Sequence, residues 1–204
     1  MAKLAFRAQV LRAREAAIVA AAKHLLAAKG FDAMTVDEVA AEAGIAKASL
    51  YKHFDSKEAV AAAAMTRVVD TLLAALDELA AQASPDTPPL ERLKAAMRWA
   101  LQLNQAGELP ALPAPNSSLL AALAAHAGYC ERLAAANERV GAWVGAAQAS
   151  GELNPELPAQ ALLWTLAACA CGPLPGLLRR GGTHSDEQIA EFLLATCFDG
   201  LSKR

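Results

Sequence analysis

Along most of the chain, apolar residues return every three or four positions, the spacing of one face of an α-helix. From about Arg7 to Lys29, Leu11, Ile18 and Leu25 step by seven with Ala22 and Leu26 beside them, and Gly30 should end that helix. From Ser56 to about Ala83 the stripe is Met65, Val68, Leu72, Leu76 and Leu79, a helix of roughly 40 Å at 1.5 Å per residue. Ser84 to Pro89 reads as a turn, after which Leu90, Leu93, Ala96, Met97, Ala100 and Leu101 share a face. A Gly/Pro-rich loop over 106–115 follows. Asn116 or Ser117 can cap a helix through Leu119, Leu120 and Leu123, and Gly128 should separate it from another that runs to about Ala149. Pro155 and Pro158 open an apolar helix, and Ser185-Asp186-Glu187-Gln188 has the form of a capping box for the last one. Ala and Leu dominate, β-branched and aromatic residues are few, and no hairpin signal lies between alternating stretches. The expected fold is all-α, with about nine helices and no internal repeat.

The most specific pattern lies between Met34 and Lys57. Thr35-Val36-Asp37-Glu38 is a capping box, and Val36, Val39, Ala40 and Ala43 continue an apolar face up to Gly44. Ile45 should plug the corner. A second helix, from about Ala46 to Phe54, places Leu50 and Phe54 on one buried side and Lys47, Ser49, Tyr51, Lys52 and His53 mostly outward. Asp55 or Ser56 caps the next helix, with Lys57 in its first turn. This is the layout of a helix-turn-helix, whose second helix enters the major groove of DNA. Lysine, serine, tyrosine and histidine supply donors for phosphates and base edges. Lys57 and Thr35 stand at helix N-termini, which favour phosphate.

The run AGIAKASLYKHFDSKEAV, residues 43–60, resembles the helix-turn-helix signature of the TetR/AcrR family of bacterial transcription regulators. The spacing from Thr35 through Gly44, Leu50, Tyr51 and Phe54 to Lys57 is reproduced without a gap, and the likeness covers roughly residues 7–60. Ala48 stands where the family commonly has Gly or Pro, which leaves base preference open. The resemblance implies an N-terminal three-helix DNA-binding domain (residues 1–55) and a C-terminal domain for effector binding and dimerisation (56–204), joined by the helix 56–83. It implies contacts to operator DNA from Thr35, Lys47, Ala48, Ser49, Tyr51, Lys52, His53 and Lys57. It also implies a small-molecule effector, and most often a repressor.

Charge adds to this picture. The net charge is −2, but residues 1–60 hold nine basic and seven acidic side chains, against ten and fourteen in the remainder. The positive positions gather at Lys3, Arg7, Arg12 and Arg14 and around Lys47, Lys52 and Lys57, as suits a DNA-binding head on an acidic body. Trp99, Trp143 and Trp164 fall on three different expected helices and, with Leu103 and His126, could line an effector cavity for a largely apolar molecule; ordinary core filling would use the same residues. The helices at 158–178 and 186–202 carry more apolar surface than one inward stripe needs, which suggests a two-fold four-helix bundle with Leu163, Ala167, Ile189, Leu193 and Thr196 at a homodimer interface.

Other classes fit less well. The uncharged run Ala161–Leu178 is long enough for a membrane span, but Gly172-Pro173 should break it and no basic cluster precedes it. Residues 1–10 lack the apolar segment of a secretory signal, so a cytoplasmic location is expected. Cys169 and Cys171, two apart on a helix, point in different directions and make a poor metal grip; Cys130, Cys169, Cys171 and Cys197 read as buried free thiols. No nucleophile elbow, zinc-protease or phosphate-loop motif is present, and the four histidines are scattered, so no catalytic residue, metal or cofactor is expected. The competing class is a helical protein that binds or sequesters a small molecule without binding an operator.

Overall fold

The computed structural model describes residues 2–201, with side chains at Phe6 and from Gln9 to Gly200. Lys3 and Arg7, among the gathered positive positions, lie outside the described side chains. The described residues form helices only: α1 (Ala2–Ala33), α2 (Val36–Glu42), α3 (Lys47–Leu50), α4 (Lys57–Gln82), α5 (Pro89–Gln105), α6 (Ser118–Ala125), α7 (Ala127–Ala149), α8 (Ala159–Cys171), α9 (Leu174–Arg180) and α10 (Asp186–Leu201). Gly30 interrupts α1 with φ 78° and ψ 172°, so the long N-terminal helix ends there and a short turn leads to α2.

Three boundaries differ from expectation. The second helix of the helix-turn-helix is a single α-turn rather than a helix to Phe54. Beyond Leu50 the amides of Lys52 and His53 bond three residues back, to Ser49 and Leu50, and this tighter winding returns Phe54 to the core. The separation of α6 from α7 falls at His126, not Gly128: the His126 backbone is extended, and its Nδ1 accepts from the Tyr129 amide at 3.0 Å, capping α7. The apolar run divides into α8 and α9 at Gly172-Pro173, since proline has no amide to continue the ladder.

The chain groups into two units. The first holds residues up to Val68 together with Pro113–Cys130. Its core takes Ile18, Ala22 and Leu26 from α1, Val39 from α2, Leu50 and Phe54, Val60, Ala61, Ala64 and Met65 from α4, and Leu119 and Leu123 from α6. The grouping reaches past residue 55 because the first turns of α4 form part of this core, and α6 joins it from far along the sequence; Ser118 donates to Glu58 at 2.9 Å beside that contact.

The second unit holds Val69–Leu112 and the residues from Glu131 onward. Leu93, Met97 and Leu101 of α5, Val144 and Ala147 of α7, Leu162 of α8, and Ile189, Leu193, Leu194, Cys197 and Phe198 of α10 build its core. Arg132 pairs with Asp70 at 2.6 Å and Arg139 with Asp77 at 2.9 Å, tying α7 to α4 within this unit. Arg98 of α5 pairs with Glu191 of α10 at 3.0 Å, and Asn104 donates to the Ala170 carbonyl at 3.0 Å. The segments Lys57–Gln82 and Ala159–Arg180 are long and apolar enough to cross a membrane. Half of the apolar window of the first is buried inside the protein, but only 17% of that of the second.

Candidate nucleic-acid interface

The interface is built on Thr35. Its hydroxyl accepts from the Glu38 amide at 3.3 Å while its own amide donates to the Glu38 carboxylate at 2.9 Å, closing the capping box. The Thr35 hydroxyl also donates to the same carboxylate at 2.7 Å, and the Lys29 ammonium pairs with it. That ammonium, then the Thr35 hydroxyl and amide, hold the Glu38 carboxyl down to about 2. Glu38 therefore stays ionised at neutral pH and fixes the start of α2 against the end of the first helix.

The other end of α2 is fixed by backbone bonds. Gly44 sits at φ 69°, its amide donates to the Ala41 carbonyl at 3.1 Å, and the Ile45 amide reaches the Ala40 carbonyl at 2.9 Å. This pair of bonds is the Schellman closure, and its left-handed residue favours glycine. The turn delivers α3 with Leu50 fully buried and Phe54 at 9% exposure, while Tyr51 is 45% exposed. Lys47, Ala48 and Lys52 are also exposed, and Ser49 and His53 are half-buried.

The basic side chains have partners on the protein. The Lys47 ammonium lies 2.8 Å from the Asp37 carboxylate, a contact that raises the Lys47 pKa. Both groups are well exposed, so water and salt screen the pair, and a phosphate can take the place of Asp37. The Lys57 ammonium stands 4.2 Å over the Phe31 ring and 3.4 Å from the Asp32 carbonyl. Ser56 caps α4, its hydroxyl accepting from the Ala59 amide at 3.0 Å. His24 and Glu42 meet at 2.8 Å. The result is a face where the exposed Lys47 and Lys52 and the half-buried Lys57 flank an aromatic side chain on a buried apolar base, and it can present donors to a polyanion.

Of the expected effector residues, four lie in the second unit and one, His126, in the first. Trp99, Leu103 and Trp143 are half-buried in the second unit, with Trp143 packed on its core. Trp164 is 55% exposed. His126 belongs to the first unit, where its ring caps α7. Of the expected interface residues, Ile189 and Leu193 are buried in the monomer's own core and are withdrawn from any partner-facing surface; the periodicity that selected them marks the inward stripe. Leu163 is half-buried against that core, Ala167 is half-buried, and Thr196 is exposed with its hydroxyl donating to the Phe192 carbonyl at 2.7 Å. The outward apolar residues that the sequence reading missed are Phe192, Leu174 and Leu177. Phe192 lies three residues after Ile189 and four before Thr196, so the helical phase could have revealed it once the inward stripe was fixed.

Residues 18–64 match the family model for bacterial regulatory proteins of the tetR family. An uncharacterized HTH-type transcriptional regulator, YdeS of Bacillus subtilis, is 52% identical over 44 residues, 22% of this chain and 22% of that protein. The HTH-type transcriptional regulator EthR of Mycolicibacterium smegmatis is 42% identical over 64 residues, 31% of this chain and 28% of that one. The matches thus span about a quarter of these curated relatives. Among solved structures, the ketosteroid transcriptional regulator KstR2 of Mycobacterium tuberculosis superposes with a TM-score of 0.64 at 21% identity, over 94% of this chain and 96% of that one. The regulator FadR of Bacillus subtilis, solved in complex with stearoyl-CoA, gives 0.64 at 17% identity over 91% and 98%. At such identities the likeness is one of fold.

Proposed function

We propose that this chain, whose residues 18–64 match the family model for bacterial regulatory proteins of the tetR family, is a ligand-responsive, DNA-binding transcription regulator of that family acting as a homodimer, a repressor that a small, largely apolar effector releases from its operator. The observation that carries this reading is the exposed face of α3, with Lys47, Tyr51 and Lys52 outward over buried Leu50 and Phe54. In the complex, α3 lies in the major groove, and Lys47 exchanges Asp37 for a phosphate or base edge. Ser49 and His53 sit at the edge of the contact, and the small Ala48 lets the backbone approach. Lys57 and the start of α2 at Thr35 anchor the flanking phosphates.

Dimerisation uses the second unit. Trp164 of α8, Leu174 and Leu177 of α9, and Phe192 of α10 are 55%, 42%, 51% and 45% exposed, and a second copy meeting them about a two-fold axis would remove them from water. Leu163, Ala167 and Thr196 lie around this face. The effector binds in the second unit near Trp99, Leu103 and Trp143, the last of which packs on that unit's apolar core. FadR of Bacillus subtilis, of similar fold, holds an acyl-CoA, which makes long-chain acyl compounds reasonable first probes. The protein works in the cytoplasm, where its DNA is, and performs no catalysis.

Selection of bound fragments from fragmented bacterial genomic DNA, followed by titration against salt, tests the reading. Enrichment of a short near-palindrome, with affinity that falls linearly in log–log against salt, is expected. Binding of small molecules with no DNA enriched at low salt would favour a sequestering protein instead.

A further inference from the structure

In the second unit, the last turn of α8 and the C-terminal half of α10 bring two thiols together. Cys197 donates its S–H to the Cys169 sulfur at 2.9 Å, and both cysteines are free. Cys197 is buried, and Cys169 packs half-buried on the same core. A disulfide has its sulfurs about 2.05 Å apart, so closing the bond requires the two sulfurs to approach by under about 1 Å. Cys171 is turned to another side of α8, and Cys130 lies in the first unit, so neither competes for this position.

We propose that Cys169 and Cys197 are a modification site that organic or hydrogen peroxides convert to an intramolecular disulfide, stapling α8 to α10. The half-buried Cys169 reacts first. Its thiolate attacks the peroxide O–O bond, an S–O bond forms, and the departing alkoxide or hydroxide takes up a proton to leave as alcohol or water. Cys169 is now a sulfenic acid, oxidised by two electrons that the peroxide has accepted. The Cys197 sulfur then attacks the Cys169 sulfur; the S–S bond forms, the S–O bond breaks, and the released hydroxide combines with the Cys197 proton as water. Two thiols and one peroxide thus give one disulfide, one alcohol and one water. Burial, and then the hydrogen bond to Cys169, push the Cys197 thiol up to about 12, so it reacts as the resolving group within the pair rather than as the first nucleophile.

The bond closes a loop between residues 28 apart in sequence, which contains the Gly172-Pro173 break and all of α9. Constraining that loop should raise the melting temperature of the oxidised form by roughly 5–10 °C, reversibly with dithiothreitol. The proposal does not depend on DNA binding.

The test exposes the full chain to an excess of cumene hydroperoxide, alkylates the remaining thiols under denaturing conditions, and maps peptides without reduction. The four alkylatable thiols should fall to two, with one peptide pair joined through Cys169 and Cys197. Cys197→Ser should stop at a dimedone-trappable sulfenic acid on Cys169, while Cys169→Ser should give neither adduct nor link. The wild-type peptide map alone decides the matter if either variant fails to fold. An unchanged thiol count, or a link mapped to Cys130 or Cys171 instead, overturns the proposal.

Discussion

Each residue of α3 and of the turn that follows it has a role set by which way it points. Tyr51 is 45% exposed and Phe54 is 9% exposed, although both are aromatic and only three positions apart. Tyr51→Ala should therefore weaken DNA binding with little change in melting temperature, whereas Phe54→Ala should cost about 3–5 kcal/mol of stability as a core truncation. Thermal melts and gel-shift titrations of the two variants separate these outcomes. Glu38 carries a pH signature. Lys29 and Thr35 hold its carboxyl at about 2, below the ordinary 4.5, so the folded state prefers the ionised form. Its contribution is present above pH 4.5 and is lost as the pH falls through that range toward 2. Wild type and Glu38→Gln should differ in melting temperature at pH 6 and converge as pH falls below 4; a difference that persists undiminished at the lowest pH would assign the effect to something other than this carboxylate.

The helix-turn-helix depends, as an element, on the way α2 ends. Gly44 is held at φ 69° by the Schellman bonds, and a Cβ there meets no atom within 4 Å, so a substitution is resisted by backbone conformation rather than by crowding. Gly44→Ala should cost about 1–2 kcal/mol, readable by denaturant unfolding, and should loosen α3 enough to lower DNA affinity. At Gly172 the reason is the reverse: φ is ordinary at −79°, but an added Cβ would come within 2.3 Å of the Ala168 carbonyl oxygen. Helices α8, α9 and α10 of the second unit differ from α5, because their apolar residues are not all consumed by their own core. Phe192→Glu, on the exposed face of α10, should leave the monomer folded and shift the proposed dimer to monomer in light scattering. Leu193→Glu, one residue on but 3% exposed, should unfold the second unit instead.

In the whole molecule, α4 contributes residues to both units and is a continuous helix from Lys57 to Gln82. If an effector in the second unit weakens operator binding a hundredfold, the coupling is about 2.7 kcal/mol, and the operator must weaken effector binding by the same factor. Tryptophan quenching with acyl compounds, in the presence and absence of operator, measures this reciprocity. Equal affinities would mean that the compound binds without regulating. A charge at Leu103 should abolish the quenching and leave DNA binding intact; loss of both would mean that Leu103 serves the core.

The all-helical fold, the capping boxes, the Gly44 stop and the register of α3 were legible from local order alone, because propensity, caps and 3.6-residue periodicity act over a few neighbouring residues. The resemblance to the TetR family is carried over the same short range, since its motif is a run of adjacent residues. What needed the tertiary structure was the use made of each apolar face. Periodicity marked Ile189 and Leu193 as a stripe but could not say whether that stripe met the protein's own core or a partner; packing against α5 and α7 decided it, leaving Phe192 and Trp164 outside. Nor could sequence place His126, whose ring accepts from the nearby Tyr129 amide. The meeting of Cys169 with Cys197 is likewise a product of how α8 crosses α10, a contact between residues far apart in the chain that no local rule encodes.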